Sequence, residues 1–223
     1  MVINILHMYH DIMNLYGESG NIKSLEYNIR SQGMEVHVDR SSIGDIVDFK
    51  KYDFVYMGSS TKDNQLIVLD DIKRHAQSLK EHINGGGFVL ATGNSLELFG
   101  KNIDDKKALN IFEYEAYSSD KRIVGDYIAD DTTFGKIIAF QNRGSVIKNN
   151  SIPWFDKGIG VKSQNFMGSY LIGPLLVRNP RIARFITEAL IKSKDNGFVF
   201  KDFDFEFEKK ARKQYMTNYY GKK

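Results

Sequence analysis

The sequence predicts an α/β fold: a mostly parallel sheet with helices on both faces. Short apolar runs at 2–8, 52–57 and 88–92 alternate with helix-periodic segments, the pattern of strand–helix–strand units. Each run ends in a polar or glycine-containing turn, which marks where a strand leaves the sheet. The run Phe88-Val89-Leu90-Ala91-Thr92 has no polar interruption until its end, as suits a strand covered on both faces.

The elements follow in order. Residues 2–8 are β-branched and apolar and predict a buried first strand, closed by the polar turn 10–19. Ser19 is a candidate cap for a helix with Ile22, Leu25 and Ile29 on one face, stopped by Gly33. Residues 34–38 alternate as a second strand, and 52–57 form a third that ends at Gly58-Ser59-Ser60. A helix is expected over 64–83 from the spacing of Leu66, Leu69, Ile72, Ala76 and Leu79, with Gly85-Gly86-Gly87 as its stop. These glycines precede a strand, so they do not form a phosphate loop. The strand 88–92 leads to Gly93-Asn94-Ser95 and a short helix to Phe99.

Beyond residue 100 the sequence reads as shorter strands at 122–128, 136–140, 158–161 and 168–171, with Asp104-Asp105 and Asp130-Asp131 as solvated turns. Gly173-Pro174 breaks the chain, and Pro180 opens a helix through Ile182, Phe185, Ile186, Ala189 and Leu190. In the tail, Phe203, Phe205 and Phe207 alternate with acidic residues as in a half-exposed strand, followed by a basic, helix-prone stretch at 209–219. We divide the chain into a domain at 1–193 and an extension at 194–223 that packs on the domain or on a partner. In open parallel sheets ligands bind at the carboxyl ends of the strands, where Gly58-Ser59-Ser60 and Gly93-Asn94-Ser95 both fall.

Composition narrows the chemistry. The 223 residues include no cysteine, which removes disulfides, thiolate metal sites and cysteine nucleophiles. All five histidines (His7, His10, His37, His75, His82) precede residue 83, so the rest of the chain has neither thiol nor imidazole. The formal charge is +3. Its excess sits entirely in 194–223, leaving 1–193 balanced and without the electrostatic footprint of a nucleic-acid binder. No apolar run reaches the ~20 residues of a membrane span, and the start lacks the features of a signal peptide, so a cytoplasmic protein is expected. No cofactor is expected. His7, His10 and Asp11 have a spacing that could hold a metal, but a hydrogen-bonded loop histidine accounts for it better, and no metal site is assigned.

Six segments in one order carry a resemblance. They are Tyr9-His10-Asp11-Ile12-Met13-Asn14-Leu15-Tyr16-Gly17-Glu18-Ser19-Gly20-Asn21, the turn from Met57 to Gln65, the stretch Leu90 to Gly100, Arg122-Ile123-Val124-Gly125-Asp126, Ala139-Phe140-Gln141-Asn142-Arg143-Gly144 and the stretch Gly168 to Leu176. Together they resemble the class I glutamine amidotransferases of the cobyric acid synthase and lipid II isoglutaminyl synthase glutaminase-subunit type. The resemblance spans about residues 9–180 and implies the flavodoxin-like architecture of that class.

It also implies chemistry. In that family a cysteine at the turn after a strand attacks the glutamine amide, a histidine acts as its base and backbone N–H groups hold the oxyanion. Position by position, the cysteine falls on Gly93 and the histidine on Ile172, so both catalytic groups are replaced. The family's triple glycine becomes Gly58-Ser59-Ser60, and Asn94 and Ser95 replace the two glycines after the nucleophile. Arg122 matches an arginine implicated in handling glutamine and could clamp a carboxylate; a salt bridge is the plain alternative. Asp126 and Asn142 also match. Gly58, Ser59, Asn94, Arg122 and Asn142 are therefore the candidate ligand-binding residues, and no catalytic residue is assigned.

The resulting expectation is a catalytically degenerate amidotransferase-like subunit that binds, paired with a Mur-ligase-like or other ATP-dependent synthetase. Two readings stand beside it: an active hydrolase or amidotransferase using a non-cysteine nucleophile such as Ser95, and a sensor for glutamine or a related small molecule.

Overall fold

The computed structural model of the chain describes residues 1–155, 158–201 and 206–220, apart from the side chain of Tyr219. In chain order the strands are β1 (Val2–Met8), β2 (Glu35–Ser41), β3 (Phe54–Met57), β4 (Phe88–Thr92), β5 (Asn102–Ile103), β6 (Lys106–Lys107), β7 (Glu115–Asp131), β8 (Gly135–Lys148), β9 (Pro153–Trp154), β10 (Gly160–Ser163) and β11 (Phe166–Ser169). The helices are α1 (Ser19–Ser31), α2 (Lys62–Ile72), α3 (Ala76–Asn84), α4 (Leu175–Arg178), α5 (Pro180–Lys194) and α6 (Glu206–Tyr220).

Seven strands form one sheet in the order β2-β1-β3-β4-β11-β10-β9. The pairs from β2 to β11 are parallel, and β10 and β9 add antiparallel to that edge. Period-two alternation splits the central strands between two cores. Phe88 and Leu90 of β4 join Ile22, Leu25 and Ile29 of α1 and Ile182, Ile186 and Leu190 of α5 on one face. Val89 and Ala91 join Val68, Leu69, Leu79 and Ile83 of α2 and α3 on the other. The predicted parallel sheet with helices on both faces is therefore present. Strands β6, β5, β7 and β8 make a second sheet.

Several boundaries differ from expectation. Ser19 is the first residue of α1 and not its cap; the Asn14 side chain takes over, its Oδ1 accepting the Ser19 N–H at 2.8 Å. The expected single helix over 64–83 is two, separated by a 3-10 turn at Lys73–His75. Thr61 caps α2 by accepting the Asn64 N–H at 3.2 Å, and Gly86, with φ +87°, takes the left-handed turn that ends α3. The short strands expected at 122–128 and 136–140 belong to one long hairpin, β7 and β8, with a bulge between Ser118 and Ile123. Asp104 is not merely a solvated turn residue: its carboxylate binds Lys62 Nζ at 3.1 Å and the Ser118 N–H at 2.6 Å.

The tail corrects another expectation. Phe203 and Phe205 lie outside the described residues, but Phe207 belongs to α6 and not to a strand. Glu206 and Glu208 sit in the first turn of that helix, where negative charge complements its dipole. Helix α6 rests on the domain through polar contacts: Arg212 donates to the carbonyls of Arg178 (2.7 Å) and Lys136, and Tyr215 donates to Asp126 Oδ1 at 3.0 Å.

Candidate functional site

The carboxyl ends of β3 and β4 meet at two turns. After β4 the chain bends sharply at Gly93, with φ +66°, into a 3-10 turn over Gly93–Phe99. After β3 it passes through Gly58-Ser59-Ser60. A β-carbon on Gly58 would collide with the carbonyl of Met13, so only glycine fits against the loop before α1.

A β-carbon on Gly93 would collide with Oγ and Cβ of Ser59 and lie 3.1 Å from Cγ2 of Ile172. The apex of the turn is thus filled by the side chain of Ser59 on one side and walled by Ile172 on another. Ile172 is 1% exposed and pairs through its backbone with Phe140, N–H to carbonyl at 3.0 Å. The structure therefore brings Gly93, Ser59 and Ile172 together, and none of them carries a base or a reactive thiol.

Asn94 completes the closure. Its Oδ1 accepts the Ser60 N–H at 2.9 Å and the Ser59 hydroxyl at 3.4 Å. Its Nδ2 donates to the carbonyl of Thr61 at 3.4 Å. The Ser60 backbone donor is thereby satisfied by the protein's own carboxamide. Ser95 is fully buried, and its hydroxyl donates to the carbonyls of Thr92 (2.8 Å) and Met57 (3.0 Å). Its oxygen points back into the strand ends, with no base among these partners.

Arg122 and Asn142 lie on the β7–β8 hairpin. Arg122 Nε donates to Asn142 Oδ1 at 2.6 Å, and Asn142 Nδ2 donates to the Tyr16 hydroxyl at 2.9 Å. The neighbouring Leu15 N–H donates to the carbonyl of Ser59 at 3.0 Å, so this chain of polar contacts reaches the rim of the crevice. Arg122 is exposed and holds no carboxylate within these contacts.

Two buried carboxylates escaped the sequence reading. Glu18 is 0% exposed; Tyr56 and Thr92 donate hydroxyls to its Oε2, the former at 2.9 Å, and the Gly173 N–H donates to its Oε1 at 3.0 Å. It links the loop before α1, the end of β4 and the segment following Ile172. Burial pushes its pKa up to about 7, against the opposing pull of those donors. Glu97, in the turn after Gly93, accepts from Gln65 Nε2 at 2.8 Å and from the Ser145 hydroxyl. The available signals were a carboxylate between two glycines after a strand for Glu18, and an acidic residue in an otherwise apolar stretch, LELF, for Glu97.

His7 and His10 have ring centroids 6.1 Å apart, and burial is the main cause that lowers the pKa of His7 to about 4. Among the described residues, no cluster of three or more His, Asp or Glu side chains is arranged to hold a metal ion. A cavity of about 460 Å³ lies at the opposite ends of the strands, lined by Phe49, Asp53, His82 and the glycines at 85–87. Its Asp53 carboxylate is already engaged by Lys194 Nζ at 2.6 Å and the Asn4 N–H at 2.9 Å. No helix among the described residues is long and apolar enough to cross a membrane.

A doubly covered parallel sheet with a sharp strand-to-helix turn at its carboxyl end, beside a second turn after β3, places the chain among the α/β proteins that carry their site at the strand ends. The chain belongs to the CobB/CobQ-like glutamine amidotransferase domain family, whose model matches residues 4–180. It is 30% identical over 211 residues to the lipid II isoglutaminyl synthase (glutamine-hydrolyzing) subunit GatD of Streptococcus pneumoniae (strain ATCC BAA-255 / R6), covering 85% of this chain and 81% of that one. It is 26% identical over 226 residues to the GatD subunit of Staphylococcus aureus (strain N315), covering 94% and 93%. A glutamine amidotransferase structure from Thermotoga maritima superposes with a TM-score of 0.56 at 13% identity, over 95% of this chain and 92% of that one. A second glutamine amidotransferase structure gives 0.57 at 11% identity, over 83% and 98%. These two share the fold.

Proposed function

We propose that this chain is a glutaminase-silent amidotransferase subunit whose work is binding, serving an ATP-dependent ligase that forms an amide. The carrying observation is the filled elbow: Ser59 occupies the space a side chain at Gly93 would need, Ile172 walls it, and Asn94 takes the Ser60 N–H. Nucleophile and base are absent together, and loss of such a unit removes several orders of magnitude in rate. The relatives are named as subunits of a lipid II isoglutaminyl synthase, which favours a ligase acting on a cell-wall precursor over one of cobalamin type.

The test is a glutaminase assay on the purified chain. No release of glutamate or ammonia is expected, alone or with the ligase, which should run on free ammonium. Turnover that disappears in Ser95→Ala would overturn the proposal in favour of a serine nucleophile. Restoring the family's residues in a Ser59→Gly/Gly93→Cys/Ile172→His chain should produce a thiol that reacts with an electrophilic glutamine analogue, whereas Gly93→Cys alone should not.

One observation favours a second reading, a sensor for glutamine or a related carboxylate. Arg122, Asn142 and Tyr16 form a connected polar chain at the crevice rim. Calorimetry with glutamine and glutamate at millimolar concentration tests it: heat that is lost in Arg122→Ala supports it, and no heat removes it.

A further inference from the structure

We propose that the free edge of β7 pairs with the same edge of a second copy of this chain, antiparallel, about a two-fold axis through Asp126. This is independent of the reading of the crevice.

The hairpin leaves β7 on the outside. β8 pairs with it from Ile123 to Asp131, while on the other side β7 meets β5 at Ile103↔Ala116. β8 is the inner strand, bridged through Phe140 to Ile172, with the Asn179 side chain bonding both backbone groups of Ile138. The outer stretch is exposed: Ile123 is 39% and Val124 59% accessible. A long edge with outward apolar side chains is a template for another strand.

The sequence of that edge identifies its partner. A two-fold axis perpendicular to the sheet at Asp126 sets Lys121 opposite Asp131, Arg122 opposite Asp130, Ile123 opposite Ala129, Val124 opposite Ile128 and Gly125 opposite Tyr127. Each cation meets a carboxylate and each aliphatic meets an aliphatic, while Tyr127 stays packed on Phe155 of its own chain; directly opposed side chains share a face and interact. The neighbouring two-fold registers lack this pattern. Centring on Gly125 opposes Asp120 to Asp130 and Val124 to Asp126; centring on Tyr127 opposes Ile123 to Asp131 and Val124 to Asp130.

The chosen register has one like-charge contact of its own, the two Asp126 carboxylates on the axis, which the Tyr215 hydroxyl of each chain's own α6, donating to Asp126 Oδ1 at 3.0 Å, partly offsets. Within its own hairpin Asp130 already binds Lys136 Nζ at 2.9 Å and Arg122 binds Asn142. Asp131 Oδ1 accepts the N–H groups of Thr133 and Phe134 at 2.8 Å, so its other oxygen is the arm that meets Lys121, which reaches from the bulge between Ser118 and Ile123. An isologous contact of this kind closes at two copies.

Sedimentation of the full chain over a wide concentration range tests the proposal. The wild type should show a reversible dimer. Lys121→Glu or Asp131→Lys each opposes like charges twice in the dimer and should weaken it by about tenfold. The combined Lys121→Glu/Asp131→Lys chain should recover it, and so should an equimolar mixture of the two single variants, which complement each other across the axis. A wild type that stays monomeric throughout, or a dimer indifferent to both single changes, overturns it. Circular dichroism of each variant confirms that the chain remains folded.

Discussion

The Ser59 side chain stands in the space that any side chain on Gly93 would have to enter, and this mutual exclusion couples the two turns of the crevice. Ser59 could not have kept its place beside a larger residue at 93, and Gly93 leaves the volume that Ser59 fills. Asn94 strengthens the coupling, since its Oδ1 binds both the Ser59 hydroxyl and the Ser60 N–H. The two turns are thus held together by packing and by hydrogen bonds.

Gly93→Ala should destabilise the chain by about 2–4 kcal/mol, combining a left-handed backbone at a non-glycine residue with overpacking against Ser59. Ser59→Gly removes the second cause and leaves the first. Urea unfolding of the wild type, both single variants and the double variant should give a coupling of about 1 kcal/mol or more, with the double less destabilised than the sum. Additive effects would show that the two side-chain positions do not compete.

Much of this architecture was legible in the sequence. β1, β3 and β4 announce themselves because buried central strands must be apolar on both faces, and Gly93 and Ile172 stood out because the neighbouring motifs are intact. The β7–β8 hairpin was cut short because much of β7 faces solvent and gives no clean alternation. The break at Lys73–His75 was hidden because the apolar period of 64–83 continues through it. Glu18 and Glu97 were passed over because a buried carboxylate is recognised by its donors, and Thr92, Gly173, Gln65 and Ser145 are far from them in the chain. Phe207 follows the helical preference of 206–214 over its place in an alternating comb.

Glu18 gives the chain a pH dependence. Its folded pKa of about 7 lies above the 4.5 of an unperturbed carboxyl, with desolvation as the main cause. The folded state therefore holds a proton that the unfolded state has released, and this contribution is fully present below pH 4.5 and lost as pH rises through about 7. The full effect is about 3 kcal/mol. His7, lowered to about 4, works in the opposite sense, adding stability as pH rises from about 4 to 6.5. Comparing Glu18→Gln with the wild type by urea unfolding from pH 5 to 8 isolates the carboxyl. The variant should lose the decline that Glu18 causes, and identical slopes would rule it out.

Helix α6 also makes a prediction. The two cores that unite sheet and helices contain no residue of α6, whose described attachments are largely polar. A chain ending after Lys201 should fold, with a loss of about 1–3 kcal/mol from the contacts of Arg212 and Tyr215. Thermal unfolding followed by circular dichroism measures this. A truncated chain without a cooperative transition would make α6 part of the domain.

Glu97 ties the turn after Gly93 to both flanking elements, receiving Gln65 Nε2 of α2 and the Ser145 hydroxyl of β8. Lys62 Nζ approaches to 4.0 Å, and the Tyr114 hydroxyl donates to the carbonyl of Leu96 beside it at 2.6 Å. Replacing Glu97 with alanine strips the acceptor from two buried donors and leaves a void at a position 1% exposed, at a cost of about 3–5 kcal/mol. Glutamine keeps the volume and one acceptor oxygen and should cost about 1–2 kcal/mol, since hydrogen bonds to a charged partner give way to neutral ones. Denaturant unfolding ranks the two. If alanine and glutamine were equally costly, the negative charge would be what holds the turn; if neither mattered, the turn would owe its position to Leu96, Leu98 and Phe99 alone.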